Sequence, residues 1–173
     1  AIMEANNADR DALVALINAS ETAICCGAFS NGNHWETDLL GTRPDVLVLD
    51  IGLPGRNGLE IASLVSQKIP SIRILIQTKL DDNRKIFESL CSGASGYILK
   101  NETPARVLQS ISEVFNGGAA FSPSVARKIV NFFNVTQVPC LISIKDQVII
   151  DGVVGEMPLN VLEKTILELR QFN

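Results

Sequence analysis

The chain has 173 residues, of which 46% are hydrophobic and 20% are charged, and its 15 basic and 19 acidic residues give a net charge of −4. This composition is near the globular average and excludes a disordered or collagen-like chain, while the length suits one domain with a short appendage. Because no run of Lys or Arg occurs, we expect neither direct nucleic-acid binding nor association with an anionic membrane.

The sequence shows neither a membrane span nor a secretion signal. No apolar run approaches the roughly 18 residues that a transmembrane helix needs, and the chain becomes polar by Glu4. The four cysteines include no CxxC pair and His34 is the single histidine, which argues against a zinc site. We therefore expect a cytoplasmic protein with reduced thiols.

Apolar runs of strand length alternate with helix-period segments over residues 1–118. The predicted strands are Ala1–Met3, Thr22–Phe29, Asp45–Ile51, Ile72–Thr78 and Gly96–Leu99. The third and fourth read DVLVLDI and IRILIQT, and such near-continuous apolar runs are typical of strands buried on both faces of a parallel sheet. Five βα units predict a doubly wound, five-stranded parallel α/β sheet.

The residues after 118 depart from this alternation. FSPSVARKIVNFF carries a capping residue at Ser122, a proline at the next position and an apolar stripe, which predicts a short helix. Leu141–Ile144 and Gln147–Val153 are β-rich runs on either side of Lys145-Asp146, a pattern that predicts a hairpin. An amphipathic segment then predicts a closing helix.

Polar side chains stand at the ends of four predicted strands. Glu4 follows the first strand, Asp50 lies at the end of the third, Thr78 ends the fourth and Lys100 follows the fifth. Because ligands bind beyond the carboxyl ends of the strands in open α/β sheets, these side chains should meet at one edge. A single strand-end carboxylate could be only a solvated end or a helix cap, but a carboxylate, a hydroxyl and an ammonium together favour a functional site.

Three segments, PDVLVLDIGLPGRNGLE, RILIQTKLDD and SGYILKNETP, resemble the receiver domain of bacterial response regulators, particularly the LuxR/FixJ-type receivers that precede a helix-turn-helix. The resemblance runs from Ala1 to about Phe133 and implies a flavodoxin-like fold. It implies two-component phosphorelay signalling, in which Asp50 accepts a phosphoryl group from a histidine kinase or phosphotransfer protein. It also implies that the chain is no enzyme beyond self-catalysed phosphotransfer and dephosphorylation.

The same resemblance implies roles for further residues. Lys100 would contact the phosphoryl group, Thr78 would be the switch hydroxyl and Tyr97 the aromatic switch residue. Pro54 and Gly58 would be the loop residues that follow the acceptor. A carboxylate can attack phosphorus, and a lysine with a divalent cation can neutralise the charge of the transferring group. The competing interpretation of Tyr97 is a half-buried strand aromatic.

One position departs from the family pattern. Receivers carry two adjacent acidic residues after the first strand, which bind Mg²⁺ with the phosphoacceptor, whereas here Glu4 is followed by Ala5. Asp50, Glu4 and the poorer carbonyl ligand Asn6 remain, so we expect weak or absent Mg²⁺ binding. Lys79 adds a second cation that could replace part of the metal's charge or block phosphate entry. These departures leave a second hypothesis, an unphosphorylated pseudo-receiver that acts as a protein-interaction and dimerisation module.

The residues after Phe133 resemble a different family. NVTQVPCLISIKDQVIIDGVVGEMPLNVLEKTILEL is similar to the C-terminal ββα half of thioredoxin, and this resemblance makes Pro139 a cis-proline candidate. The redox motif WCxxC is absent, and Cys140 alone cannot form an internal dithiol, so we expect no oxidoreductase activity.

The predicted domains are a receiver over 1–118, a linker helix over 119–133 and a thioredoxin-like tail over 134–173. A hairpin with one helix is not stable by itself, so its apolar face must be covered by the receiver or by another chain. The wide apolar stripe of the linker helix favours the second solution. We therefore expect a homodimer held by the linker helix and tail.

Overall fold

A computed structural model describes residues 1–132, 140–145 and 148–154. The chain divides into two compact units, residues 1–127 and residues 128–173.

The first unit is a parallel sheet with connecting helices, as the alternating pattern predicts. Its strands are β1 (Ile2–Met3), β2 (Ala28–Phe29), β3 (Val46–Leu49), β4 (Arg73–Thr78), β5 (Gly96–Leu99) and β6 (Ala120–Phe121). The helices are α1 (Asn7–Asn18), α2 (Trp35–Thr42), α3 (Gly58–Lys68), α4 (Asn83–Cys91), α5 (Pro104–Phe115) and α6 (Pro123–Phe132), which continues into the second unit. The strand order is β2-β1-β3-β4-β5-β6, and every adjacent pair is parallel. None of the helices in the described part of the chain is both long and apolar enough to cross a membrane.

The sheet has six strands, so the prediction of five is wrong. The additional strand, Ala120–Phe121, pairs with β5 with Gly96 opposite Ala120. A Cβ atom at Gly96 would lie only 2.6 Å from the Ala120 carbonyl oxygen, so the glycine permits this close approach. A segment of two residues is too short to show a periodicity in the sequence. It becomes a strand because it pairs with β5, which lies more than 20 residues earlier in the chain.

The predicted second strand, Thr22–Phe29, is also wrong in length, because only Ala28–Phe29 pairs with β1. The backbone N–H of Cys25 donates to Oδ1 of Asn18 at 2.9 Å, and the Ile24 side chain is 85% exposed. Most of this apolar run therefore lies in the loop that follows α1 and not in a strand.

Two helix starts carry side-chain caps. Oδ1 of Asn57 accepts a hydrogen bond from the N–H of Leu59 at 2.9 Å at the start of α3. Oγ1 of Thr103 accepts from the N–H of Arg106 at 3.3 Å, and Pro104 is the first residue of α5. Each cap supplies an acceptor for a backbone donor that the helix itself cannot satisfy.

The sheet is buried on both faces. One core cluster joins α1 and α5 to the sheet and contains Ile2, Leu13, Ile17, Val46, Val48, Leu75, Ile98, Val107, Ile111, Val114 and Ala120. Because successive strand residues point to opposite faces, their neighbours Leu47, Leu49, Ile74 and Ile76 lie on the other face, where they are also buried. This double burial explains the continuous apolar runs of β3 and β4.

Part of the second unit is an antiparallel hairpin, as predicted. β7 (Cys140–Lys145) pairs with β8 (Val148–Val154), with Cys140 opposite Val154 and Lys145 opposite Val148. Pro139 and the predicted closing helix lie outside the described residues.

Candidate functional site

The carboxyl ends of β1, β3 and β5 bring two carboxylates and one ammonium together. Nζ of Lys100 lies 2.5 Å from Oε2 of Glu4 and 2.8 Å from Oδ2 of Asp50. Exposed side-chain fractions are 3% for Glu4, 11% for Asp50 and 12% for Lys100. We call these three residues the inner trio. Burial of these charges is tolerable because each has a partner of opposite sign.

Backbone groups hold the two carboxylates of the inner trio in place. Oε1 of Glu4 accepts a hydrogen bond from the N–H of Asn6 at 2.8 Å, and Oδ1 of Asp50 accepts from the N–H of Gly52 at 3.2 Å. Nη1 of Arg10 donates to the main-chain carbonyl of Glu4 at 2.9 Å. Each carboxylate therefore turns one oxygen toward local backbone and the other toward Lys100.

The ammonium of the inner trio remains charged at neutral pH. Burial by itself would lower the pKa of Lys100, but hydrogen bonds to Asp50 and Glu4, together with their negative charges, outweigh it and raise the pKa above its ordinary value. The backbone N–H of Lys100 also donates to the Thr78 carbonyl at 2.9 Å. The site thus places a permanent cation beside Asp50.

A second, exposed pair of charges borders the inner trio. Oδ2 of Asp9, in the first turn of α1, lies 3.7 Å from Nζ of Lys79 and 3.4 Å from Nζ of Lys100. Asp9 is 35% exposed and Lys79 is 72% exposed. We call Asp9 and Lys79 the rim pair. Lys100 therefore contacts three carboxylates, one of them from the rim.

Thr78 and Tyr97 are joined through the backbone of Leu80. Oγ1 of Thr78 accepts a hydrogen bond from the N–H of Leu80 at 3.4 Å, and the hydroxyl of Tyr97 donates to the carbonyl of Leu80 at 2.7 Å. Tyr97 is fully rather than half buried. Its burial, and then the negative charges of Asp81 and Asp50, raise its pKa. The hydroxyl therefore remains a hydrogen-bond donor.

The loop after Asp50 turns back tightly against the strand that it leaves. The N–H of Gly58 donates to the carbonyl of Ile51 at 3.2 Å. A Cβ atom at Gly58 would lie 2.2 Å from the carbonyl oxygen of Asp50, so this close approach requires glycine. Pro54 lies in the same loop and is exposed.

Residues 1–112, which contain all of these side chains, match the family described as response regulator receiver domain. The chain belongs to this family. The receiver is 31% identical over 156 residues to "Oxygen regulatory protein NreC" of Staphylococcus epidermidis, an alignment that covers 89% of this chain and 66% of the relative. It spans at most about two-thirds of the length of the curated relatives that it matches first.

Solved structures show the same receiver fold. A LuxR-family two-component response regulator from Aurantimonas sp. SI85-9A1 superposes with a TM-score of 0.72 at 26% identity, over 77% of this chain and 95% of that one. A DNA-binding response regulator of the LuxR family from Staphylococcus aureus gives a TM-score of 0.63 at 26% identity, over 66% and 96% of the two chains. These similarities support the expected LuxR-type receiver and two-component signalling.

The expectation about partners is wrong in excluding nucleic acid. The similar protein from Staphylococcus aureus is called a DNA-binding response regulator. The exclusion rested on the absence of basic runs in this sequence, whereas the first curated relatives are longer than the matched region. The expected homodimer depended on the tail, whose closing helix lies outside the described residues.

The receiver's inner trio retains a minimal set of ligands for Mg²⁺, which receiver domains generally bind in their acidic pocket. Mg²⁺ prefers oxygen ligands and commonly uses one or two protein carboxylates with water or phosphate oxygens. Glu4 and Asp50 supply two carboxylates, and each oxygen that already accepts one hydrogen bond has a further lone pair. No group of three or more His, Cys, Asp or Glu side chains in the described part of the chain could hold a metal. One or two carboxylates suffice for a Mg²⁺ ion that keeps several waters, so Glu4 and Asp50 fit such an ion although they belong to no larger cluster of ligands.

Asn6 and Ala5 add little to this ligand set. Oδ1 of Asn6 accepts a hydrogen bond from the N–H of Asp9 at 3.0 Å and caps α1, so its side-chain carbonyl serves the helix. Ala5 has no side-chain oxygen. Of these two residues, Asn6 alone contacts an inner-trio carboxylate, through its backbone N–H.

Two participants escaped the sequence analysis. Leu80 contributes main-chain groups, which no residue type reveals. Asp9 lies on a helix and not at a strand end, so the rule that marks Glu4 and Asp50 does not mark it. The residue that follows it, Arg10, also belongs to the site, because its guanidinium donates a hydrogen bond to the Glu4 carbonyl.

Proposed function

We propose that this receiver works in two-component phosphorelay signalling and that Asp50 accepts the phosphoryl group of a histidine kinase. The observation that carries the proposal is the 2.8 Å contact between Oδ2 of Asp50 and Nζ of Lys100 at the carboxyl edge of the sheet. A nucleophilic carboxylate with a fixed cation beside it suits phosphoryl transfer, in which positioning and charge stabilisation contribute most of the catalysis.

The inner trio supplies the chemistry for this step. A carboxylate oxygen of Asp50 attacks the phosphorus of a phosphohistidine, a P–O bond forms while the P–N bond breaks, and the kinase imidazole leaves. Negative charge on the phosphoryl oxygens is stabilised by the ammonium of Lys100. Mg²⁺, when held by Glu4 and Asp50, would neutralise further charge on the phosphoryl group.

Thr78 and Tyr97 would transmit the change. A phosphoryl group on Asp50 offers acceptors to the Thr78 hydroxyl proton, and movement of the side chain to donate there would alter the hydrogen bond that Oγ1 now accepts from the N–H of Leu80. Movement of Leu80 would alter the 2.7 Å hydrogen bond between its carbonyl and the Tyr97 hydroxyl. The β4–α4 loop and β5 would then form a surface that differs between the two states.

The pseudo-receiver is the second candidate. The observation in its favour is that Lys100 already contacts both inner-trio carboxylates, while Ala5 supplies no further carboxylate. Such a pocket can remain folded and unphosphorylated while the surface of the domain binds a partner protein. Phosphorylation of the intact chain separates the two candidates.

The output is proposed for the whole protein. The similarity to a DNA-binding LuxR-family regulator from Staphylococcus aureus supports a role in controlling transcription through DNA. An electrophoretic mobility shift with promoter DNA from the neighbourhood of its own gene would test this role.

The similarity of residues 134–173 to thioredoxin also remains a proposal. It is supported by the antiparallel pairing of β7 with β8 and has no support from the comparisons. We expect no redox role for this segment because the whole sequence contains no CxxC motif.

Intact-mass spectrometry after incubation with acetyl phosphate and Mg²⁺ tests the acceptor. We expect the wild-type chain to gain about 80 Da, the mass of one phosphoryl group on one carboxylate, and Asp50→Asn to gain nothing. Asp45→Asn is the matched control, because Asp45 is exposed at the opposite end of β3. Label that persists in Asp50→Asn would refute the acceptor, and a wild-type chain that remains unlabelled would favour the pseudo-receiver.

A further inference from the structure

We propose that Asp9 is a positioning residue that supplies, from α1, the negative charge that Ala5 does not supply, and that the receiver keeps its affinity for a divalent cation through it. The inference rests on the proposed function, because the cation would serve phosphoryl transfer at Asp50. It concerns a residue outside the strand-end positions that define the pocket.

The geometry joins Asp9 to the pocket and not merely to the surface. Oδ2 of Asp9 lies 3.4 Å from the same Lys100 Nζ that contacts Glu4 and Asp50. One nitrogen therefore stands among three carboxylates. Asp9 is 35% exposed, so its charge is partly shielded by protein and acts on the pocket more strongly than a fully solvated charge would.

The start of α1 fixes Asp9 in this place. The N–H of Asp9 donates to Oδ1 of Asn6 at 3.0 Å, and the N–H of Asn6 donates to Oε1 of Glu4 at 2.8 Å. Arg10, the next residue, bonds the Glu4 carbonyl at 2.9 Å. Hydrogen bonds from residues on both sides of Asp9 thus connect the first turn of α1 to Glu4.

Charge balance gives Asp9 its effect. Glu4, Asp9 and Asp50 carry three negative charges, and Arg10, Lys79 and Lys100 carry three positive ones. With Asp9 these charges balance. Without Asp9 the same groups would have a surplus of one positive charge, which repels a divalent cation.

Asp9 acts as a neighbour and not as a direct ligand. Its oxygen is farther from Lys100 Nζ than the oxygens of Glu4 and Asp50 are, and the described residues form no three-ligand metal cluster. Because Mg²⁺ retains several waters in protein sites, a negative charge beyond its direct ligands would still strengthen its binding. Asp9 also pairs with the ammonium of Lys79 at 3.7 Å.

Isothermal titration calorimetry of the full chain with MgCl₂ tests the proposal. We expect Asp9→Asn to weaken Mg²⁺ binding about tenfold, because one charge is removed close to a doubly charged ion. Asp11→Asn is the matched control, since Asp11 is an exposed carboxylate on the same helix, and we expect its dissociation constant to stay within about twofold of the wild type. Asp9→Glu should restore at least half of the lost affinity on a logarithmic scale, which a purely structural defect would not allow.

Two results would overturn the proposal. One is a wild-type chain that binds no Mg²⁺, because Asp9 would then not compensate for Ala5. The other is an Asp9→Asn variant, folded by circular dichroism, that binds Mg²⁺ as Asp11→Asn does. Failure of the proposed function is seen separately, as a wild-type chain that binds Mg²⁺ but gains no mass with acetyl phosphate.

Discussion

The inner trio and the rim pair contain the same chemical groups in different surroundings. Glu4, Lys100 and Asp50 are between 3% and 12% exposed, whereas Asp9 and Lys79 are 35% and 72% exposed. A desolvated charge without its partner costs several kcal/mol, while an exposed ion pair contributes between about 0 and 1 kcal/mol. The inner trio is therefore bound into the fold, and the rim pair can change without endangering it.

The two groups of charges therefore contribute differently to stability and to the electrostatics of the pocket. The residues at the strand ends, Glu4, Asp50 and Lys100, cannot be replaced without a large loss of stability. Asp9 on α1 changes the net charge of the pocket at little cost in stability.

The largest expected effect comes from removing the shared cation. Lys100→Met leaves the buried carboxylates of Glu4 and Asp50 without the ammonium that bridges them, and we expect it to lower the free energy of unfolding by about 3 kcal/mol at neutral pH. Lys79→Met removes the same group from the rim and should change it by less than about 0.5 kcal/mol. Urea denaturation followed by circular dichroism measures both. Equal losses in the two variants would show that the trio is no more desolvated than the rim pair.

The next effect tests how tightly the loop holds the acceptor backbone. A methyl group at Gly58 would meet the Asp50 carbonyl oxygen at 2.2 Å, so Gly58→Ala should cost about 2 kcal/mol through local displacement. Gly41 in α2 has no neighbour within 4 Å of an added Cβ, and Gly41→Ala should be neutral or stabilise the protein by up to about 1 kcal/mol. Thermal unfolding of both variants decides the matter. An unchanged melting temperature for Gly58→Ala would mean that the loop can move away from β3 freely.

The smallest effect appears only at high pH and concerns Tyr97. Burial raises the pKa of this tyrosine above its ordinary value of 10.0, so the folded protein keeps the proton that the unfolded chain releases. Stability should therefore be independent of this group below pH 10 and should fall as the pH rises above it. Tyr97 is the single tyrosine, so the tyrosinate absorbance band reports it alone. Ionisation near pH 10 in the folded protein would show that the hydroxyl is open to solvent, and the denatured chain supplies the reference curve.

Much of the fold was readable because it depends on local periodicity. The parallel βα alternation and the β7–β8 hairpin follow from apolar patterning. The predicted strand over Thr22–Phe29 failed because an apolar run shows that residues can be buried, not that a neighbouring strand is within hydrogen-bonding distance. Ala120–Phe121 was missed for the converse reason, since pairing with β5 makes it a strand.

For the site, the sequence by itself determined which groups stand at the carboxyl edge. Glu4, Asp50, Thr78 and Lys100 directly follow or end apolar runs, and a parallel sheet must bring such positions to one edge. Only the tertiary structure decided that Lys100 bridges Glu4 and Asp50, and that Asp9, which is 91 residues from Lys100 in the sequence, contacts the same ammonium. A strand end fixes where a side chain starts, but its partner depends on how far the chain reaches across the sheet and on where the adjacent helix begins.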